Sequence, residues 1–106
     1  MKKFEAPDEL NWEITQLLRD AASEEYELGE TELYIDTEIS INDVDYKITG
    51  KAYGYKVYDS GDWDLPSEEY FTVLDTYIDV AVLDWDGNEI GFCEIDGRDF
   101  LGDLML

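Results

Sequence analysis

The sequence has no histidine, a single cysteine and only seven basic residues among its 106 residues. Without histidine, the chain lacks the commonest general base, any Ser–His triad and the usual ligand of zinc sites. The lone Cys93 excludes an intrachain disulfide and a thiolate metal cluster, and we expect a small buried side chain there. Residues 1–10 contain two lysines but no apolar run, and no stretch is long and apolar enough to span a membrane. These features predict a cytoplasmic protein without a signal peptide.

Acidic residues are what the sequence has in excess. The chain has 28 Asp and Glu residues against seven Lys and Arg, which gives a formal net charge of −21 at pH 7. This charge disfavours nucleic acid and anionic membranes as direct ligands, and it favours cations or basic proteins. Hydrophobic residues still make up 44% of the chain and aromatic residues 14%, which argues against disorder. We therefore predict one folded domain over residues 1–106.

The longest run of strand-type residues, EYFTVLDTYIDVAVLDW at 69–85, is predicted to be the central strand of a sheet. At a period of two residues, one face of this strand is apolar and consists of Thr72, Leu74, Thr76, Ile78, Val80 and Val82. The opposite face holds Phe71 and Val73 but also the carboxylates Asp75 and Asp79. One apolar face and one partly acidic face predict a sheet that is covered on one side only.

A helix is predicted before the sheet. Pro7 and Asp8 indicate its start, apolar residues at helical spacing continue to about Tyr26, and Gly29 is expected to end it. Residues 1–6 are expected to form a short arm.

Three further strands are predicted at 31–41, 44–58 and 89–95, with turns at Asn42-Asp43 and at 86–88. Gly50 and Gly54 indicate a bulge, a bend or a close backbone approach in the second of these strands. Residues 59–67 read as a loop, and the tail at 98–106 as a short helix or an edge strand. The predicted fold class is α+β, with an N-terminal helix packed on one face of an antiparallel sheet of about four to five strands.

The acidic residues are concentrated in two segments that contain no basic residue. Ten lie between Arg19 and Lys47, and twelve lie between Lys56 and Arg98. An ordinary solvated surface mixes both signs, because like charges that lie close together repel. Two interpretations remain open: a highly soluble, halophilic-style surface, or faces from which basic residues are excluded because they bind a basic partner.

Spacing and size favour the second interpretation. Glu32, Asp36 and Glu38 are predicted to lie on one face of a strand, where neighbours two residues apart are separated by roughly 6.6 Å. A compact chain of this length would be about 33 Å across, and duplex DNA of that length carries roughly 19 phosphate charges. The residues that we predict to bind the partner are Glu32, Asp36, Glu38, Asp62, Trp63, Asp64, Glu68, Glu69, Asp75 and Asp79.

A metal site and catalysis are the competing functions. The acids between Asp59 and Glu69 could supply oxygens to a hard cation, but their spacing does not fit an EF-hand loop. Asp84 begins a run that resembles such a loop, yet its glycine comes two positions too early and its twelfth residue is Ile95. We therefore expect no dedicated metal site and no cofactor. No carboxylate pair stands out for catalysis, so we predict that the protein is not an enzyme.

Charge and predicted architecture together resemble the small acidic inhibitors of bacteriophages and mobile elements. These include the uracil-DNA glycosylase inhibitor, which is similar in plan, antirestriction proteins and anti-CRISPR proteins. The stretch GDWDLPSEEYFTV also resembles a loop and strand entry of small phage proteins. No motif aligns residue by residue, so no site residue is taken from this resemblance.

The hypothesis that follows is a non-enzymatic inhibitor that mimics nucleic acid and blocks a DNA- or RNA-binding host defence or repair protein. Its partner would be a basic nucleic-acid-binding protein, with no direct contact to nucleic acid or membrane, and it would act as a monomer or homodimer. The alternatives are a phage or bacterial interaction module whose acidity serves solubility, and a domain that binds divalent cations weakly.

Overall fold

The computed structural model of this chain describes residues 2–25, 27–61, 63–64 and 67–106. These residues form an α-helix packed against a six-stranded sheet, and they confirm the α+β class. In chain order the elements are β1 (Lys2–Phe4), α1 (Asp8–Glu24), β2 (Gly29–Ile41), β3 (Val44–Asp59), β4 (Glu68–Leu83), β5 (Glu89–Cys93), a 3₁₀ turn (Gly97–Phe100) and β6 (Gly102–Met105). The tail therefore contains both elements that were predicted as alternatives.

The strand order in the sheet is β1-β5-β4-β3-β2, and β6 joins the same edge of β4 as β5. β5 pairs with the second half of β4 and β6 with the first half, both antiparallel. β1 pairs with β5 in parallel, so the sheet is mixed and not purely antiparallel as predicted. The expectation of a short arm at residues 1–6 is wrong in part, because a three-residue strand is too short to show an alternating pattern.

The helix ends earlier than predicted and without a glycine cap. It stops at Glu24, while Gly29 begins β2 with a φ of 103°; Tyr26 lies outside the described residues. The ammonium of Lys56, on β3, donates to the carbonyl oxygens of Ala22, at 3.0 Å, and Glu25. This lysine from the sheet supplies a donor to the carbonyl group of Glu25 and a second donor to that of Ala22, which also accepts the backbone N–H of Glu25.

A β-bulge in β4 reverses the prediction for the first half of that strand. Tyr53 pairs with Asp75 but Gly54 pairs with Val73, so Leu74 is an extra residue. One extra residue moves every preceding side chain to the opposite face. Phe71 and Val73 are therefore buried, whereas Leu74, predicted to lie in the core, is 49% exposed. A Cβ on Gly54 would lie 2.0 Å from the carbonyl oxygen of Thr72, so only glycine permits this close approach beside the bulge.

The two β-turns agree with their predictions. Asn42 and Asp43 both have positive φ, at 53° and 67°, as a two-residue hairpin turn of the primed type requires. In the turn after β4, Oδ1 of Asp84 accepts hydrogen bonds from the backbone N–H groups of Asp86 and Asn88, each at 2.9 Å.

The core lies between α1 and one side of the sheet. The helix buries Leu10, Ile14, Leu18 and Ala22, and the sheet contributes side chains such as Leu33, Ile35, Ile48, Ala52 and Phe71. Cys93 is buried in the same cluster, as expected. Since β3 and β4 each have 16 residues, the molecule measures 53 × 23 × 21 Å and is longer than the compact shape that we expected from chain length.

Candidate protein-binding surface

The side of the sheet that faces away from α1 carries most of the predicted site residues. We call the central part of this side the open face, and it consists of Glu30, Glu32, Tyr34, Asp36, Glu38, Lys47, Thr49, Lys51, Tyr53, Tyr55, Asp75, Tyr77 and Asp79. These positions alternate with the buried ones along β2, β3 and the second half of β4. Alternation therefore brings side chains from three strands onto one surface.

The strand register arranges the carboxylates of the open face in two rows. Glu32 pairs with Tyr53, which pairs with Asp75, so acids from β2 and β4 lie on either side of a β3 tyrosine. Asp36 and Asp79 lie in the same way on either side of Thr49. With strands about 4.8 Å apart, the two acidic rows are separated by about 10 Å.

The central strand β3 supplies the positive charge of the open face. Lys51 lies 3.7 Å from an oxygen of Glu32 and 5.9 Å from the ring centroid of Tyr77. Lys47 pairs in register with Glu38. The open face has six carboxylates and two ammonium groups, so its formal net charge is −4.

Three of these carboxylates raise the pKa of a neighbouring tyrosine. The hydroxyl of Tyr34 donates a hydrogen bond of 2.5 Å to Oε2 of Glu32, and this bond raises the pKa of Tyr34. Hydrogen bonding to Glu30 raises the pKa of Tyr53, and hydrogen bonding to Asp75 raises the pKa of Tyr77. Each phenol therefore keeps its proton to higher pH, and the hydrogen bond of Tyr34 orients the exposed Glu32 carboxylate.

The other predicted site residues lie away from this arrangement. Glu68 alternates with Tyr70 and Thr72 and lies on the same side of the sheet, at its far end. Glu69 lies on the opposite side, where its Oε1 is 2.7 Å from the ammonium of the buried Lys56. It is therefore engaged in a structural contact.

Trp63 and Asp64 are exposed in the β3–β4 loop, and the Trp63 side chain is 92% exposed. Asp62 lies outside the described residues. The structure thus brings together Glu32, Asp36, Glu38, Asp75 and Asp79, with Glu68, Trp63 and Asp64 toward one end.

Sequence analysis missed the role of the tyrosines and of Glu30. Tyr34 lies two residues from Glu32 and Tyr77 two residues from Asp75, a spacing that places each pair on one strand face. That spacing was a usable signal. Glu30 and Tyr53 lie diagonally across β2 and β3, so the effect of Glu30 on the pKa of Tyr53 depends on the register of these two strands.

In the part of the chain that the structure describes, no group of three or more His, Cys, Asp or Glu side chains is arranged to hold a metal ion. Among the same residues, no helix is both long and apolar enough to cross a membrane.

Comparisons with protein-family models, with curated proteins and with solved structures gave no match to this chain. The resemblance to small acidic inhibitors therefore stays a prediction, and function has to be argued from the surface itself.

Proposed function

We propose that the open face binds a basic nucleic-acid-binding protein at the site where that protein would bind nucleic acid. The observation that supports this most is the pair of carboxylate rows on β2 and β4, which share one exposed face. Lysine and arginine side chains that contact phosphates would meet carboxylates instead, as charge-assisted hydrogen bonds form with either group. The protein acts as a competitor for the partner's nucleic-acid site and catalyses no reaction.

The charge and length of the molecule support mimicry of a polyanion. Duplex DNA as long as the 53 Å axis carries about 31 phosphate charges, and one strand of it carries about 16. The formal charge of −21 lies between these values. The formal charge agrees less closely with the phosphate charge of duplex DNA than we expected for a compact shape, because the molecule is elongated. It is still sufficient for long-range attraction to a basic channel and for fast association.

The arrangement of the open face favours this function over acidity that serves solubility alone. A solubilising coat needs charge but no fixed geometry. Here the hydroxyl of Tyr34 orients the Glu32 carboxylate through a hydrogen bond of 2.5 Å. Carboxylates that are oriented before binding lose less side-chain entropy on binding. The resemblance to phage inhibitors favours a defence or repair protein of a bacterial host as the target.

The test is affinity capture from a bacterial lysate that has been depleted of nucleic acid, with a salt gradient for elution and mass spectrometry for identification. We expect a DNA- or RNA-binding protein that elutes at moderate salt and is displaced by added duplex DNA or RNA.

Two variants of equal charge make this test specific to the open face. The open-face variant carries Glu32→Gln, Asp36→Asn and Glu38→Gln. The helix-side variant carries Asp20→Asn, Glu24→Gln and Glu27→Gln, all at exposed positions. Each has a formal charge of −18, which is −21 with three charges removed. We expect the open-face variant to lose the partner and the helix-side variant to retain it. Equal loss in both variants would support a nonspecific charge effect, and capture that resists salt and nucleic acid would contradict mimicry.

A further inference from the structure

A groove of about 470 Å³ lies at one end of the sheet, outside the open face. It is bordered by the β2–β3 turn, the β4–β5 turn and the end of β1. Its apolar lining includes Phe4, Val44, Tyr46, Leu83, Trp85 and Ile90. This volume lies within the range of pockets that bind small ligands or the anchoring side chain of a partner.

Three of the apolar side chains that line the groove are exposed to solvent. Trp85 is 96% exposed, and Val44 and Ile90 are 37% and 44% exposed. A large aromatic side chain that contacts almost nothing in its own chain contributes little to folding, because it buries little apolar area. Exposed apolar surface in a groove is typical of an interaction site, where tryptophan is often an anchor.

The rim of the groove is acidic. Glu5, Asp43, Asp45 and Asp84 line it, and none of the described residues that line the groove is basic. The backbone N–H groups of the β4–β5 turn, chiefly that of Asn88, lower the pKa of Asp84, so this carboxylate stays ionised at neutral pH. An apolar floor inside a ring of carboxylates is complementary to an apolar side chain with basic neighbours.

We propose that this groove binds an apolar side chain, aromatic or aliphatic, of a partner segment in which arginine or lysine flanks that side chain. This inference rests on the proposed function, since both surfaces would bind one basic protein. The groove would add an apolar contact whose contribution to binding does not depend on salt. Binding by the charged open face, in contrast, weakens as salt is raised. A second copy of this chain is disfavoured as the occupant, because it would bring an acidic protein against the acidic rim.

The experiment is an NMR titration of the full-length protein with two capped pentapeptides of equal charge. One has phenylalanine between two pairs of arginines, and the other has glycine at the central position. The signals to follow are the methyl groups of Val44, Leu83 and Ile90 and the indole N–H of Trp85. We expect the phenylalanine peptide to shift these signals and to bind at least about tenfold more tightly than the glycine peptide.

Two of the three exposed tryptophans, Trp85 and Trp12, provide a matched pair of variants. Trp85→Ala should weaken binding of the phenylalanine peptide about threefold to tenfold, the range for an aromatic pair. Trp12→Ala, on α1 and outside the lining of the groove, should leave the affinity unchanged. Trp85 is 96% exposed and Trp12 is 61% exposed, so both substitutions should leave the fold intact.

The outcomes separate this proposal from the proposed function. Equal affinity of the two peptides, or peptide-induced shifts confined to signals of the open face such as those of Thr49 and Lys51, would overturn the groove as a binding site. The open-face proposal would survive that result. Shifts in the groove that depend on the phenylalanine support the groove, even if the open-face variant retains its captured partner and mimicry fails.

Discussion

Along β3, neighbouring residues belong to two different environments. Ile48 and Ala52 point toward α1 and are fully buried, whereas Lys47, Thr49 and Lys51 point to the open face and are partly exposed. The covered side excludes water from a continuous apolar cluster, which is the main source of folding free energy. The open side places like charges in neighbouring positions, which repel and lower stability. The side of the sheet that stabilises the fold is therefore opposite to the side that we propose to bind a partner, and substitutions should separate the two effects.

The largest expected effect comes from the bulge, which decides the side on which each residue of β4 lies. Phe71→Ala should lower the free energy of unfolding by about 3–5 kcal/mol, because it removes a fully buried ring. Leu74→Ala should lower it by less than about 1 kcal/mol, because Leu74 is half-exposed on the bulge. Urea denaturation of both variants measures the difference. A larger loss for Leu74→Ala would support unbroken alternation and contradict the bulge.

Sequence alternation predicts the two sides well wherever a strand is regular. It placed Val80 and Val82 on the apolar face and Asp75 and Asp79 on the opposite face, because burial on one face imposes a period of two. It failed before Leu74, where a single extra residue reverses the pattern and Gly54 is the only nearby sign.

Contacts between distant segments were beyond reach of the sequence. The burial of Lys56 depends on where the last turn of α1 packs against β3. These two segments are about thirty residues apart in the sequence. The ion pair between Glu69 and Lys56 depends on the same contact. Because the sequence does not reveal that contact, Glu69 was predicted to bind the partner together with the acids of the open face. Five of the six acids of the open face were among the predicted site residues, because local alternation alone determines their side.

The second prediction compares two lysines of β3 that lie on opposite sides of the sheet. Lys56→Met should cost about 2–3 kcal/mol, because it leaves the carbonyl oxygen of Glu25 and the Glu69 carboxylate without the lysine donor. Lys51→Met should cost less than about 1 kcal/mol, since its contact with Glu32 is solvent-exposed. Thermal or urea unfolding of the two variants gives the comparison. Equal losses would show that the ammonium of Lys56 is not needed at the helix end.

The third prediction tests whether the acids of the open face lower stability. The double variant Asp36→Asn, Asp79→Asn removes two like charges about 10 Å apart, whose repulsion in water is about 0.4 kcal/mol. We expect a gain in unfolding free energy of this order in about 0.01 M salt, which shrinks as salt is raised to about 0.15 M.

A matched Asp→Asn substitution elsewhere should have the opposite sign. Asp96 makes an ion pair with Arg98 and accepts the backbone N–H of Arg98, so Asp96→Asn should slightly lower stability. A loss of stability in the double variant Asp36→Asn, Asp79→Asn as well would mean that these two carboxylates stabilise the fold. Stability and charge would then not be separated on the two sides of the sheet.

The smallest effect concerns the phenols that orient the carboxylates of the open face. The hydrogen bond to Glu32 raises the pKa of Tyr34 above the ordinary value of 10.0, so the folded chain holds this proton more tightly than the unfolded chain. The contribution of this bond to stability is therefore present below pH 10 and is lost as pH rises through the higher pKa of the folded state. The substitution Glu32→Gln should lower the pKa of Tyr34 toward 10.0 and leave unchanged the pKa of Tyr77, which Asp75 raises. NMR of the tyrosine ring carbons across alkaline pH measures both groups in one sample. If the pKa of Tyr34 does not respond to the substitution, the phenol does not hold Glu32. The open face would then be a charged surface without the fixed geometry that mimicry of a phosphate backbone requires.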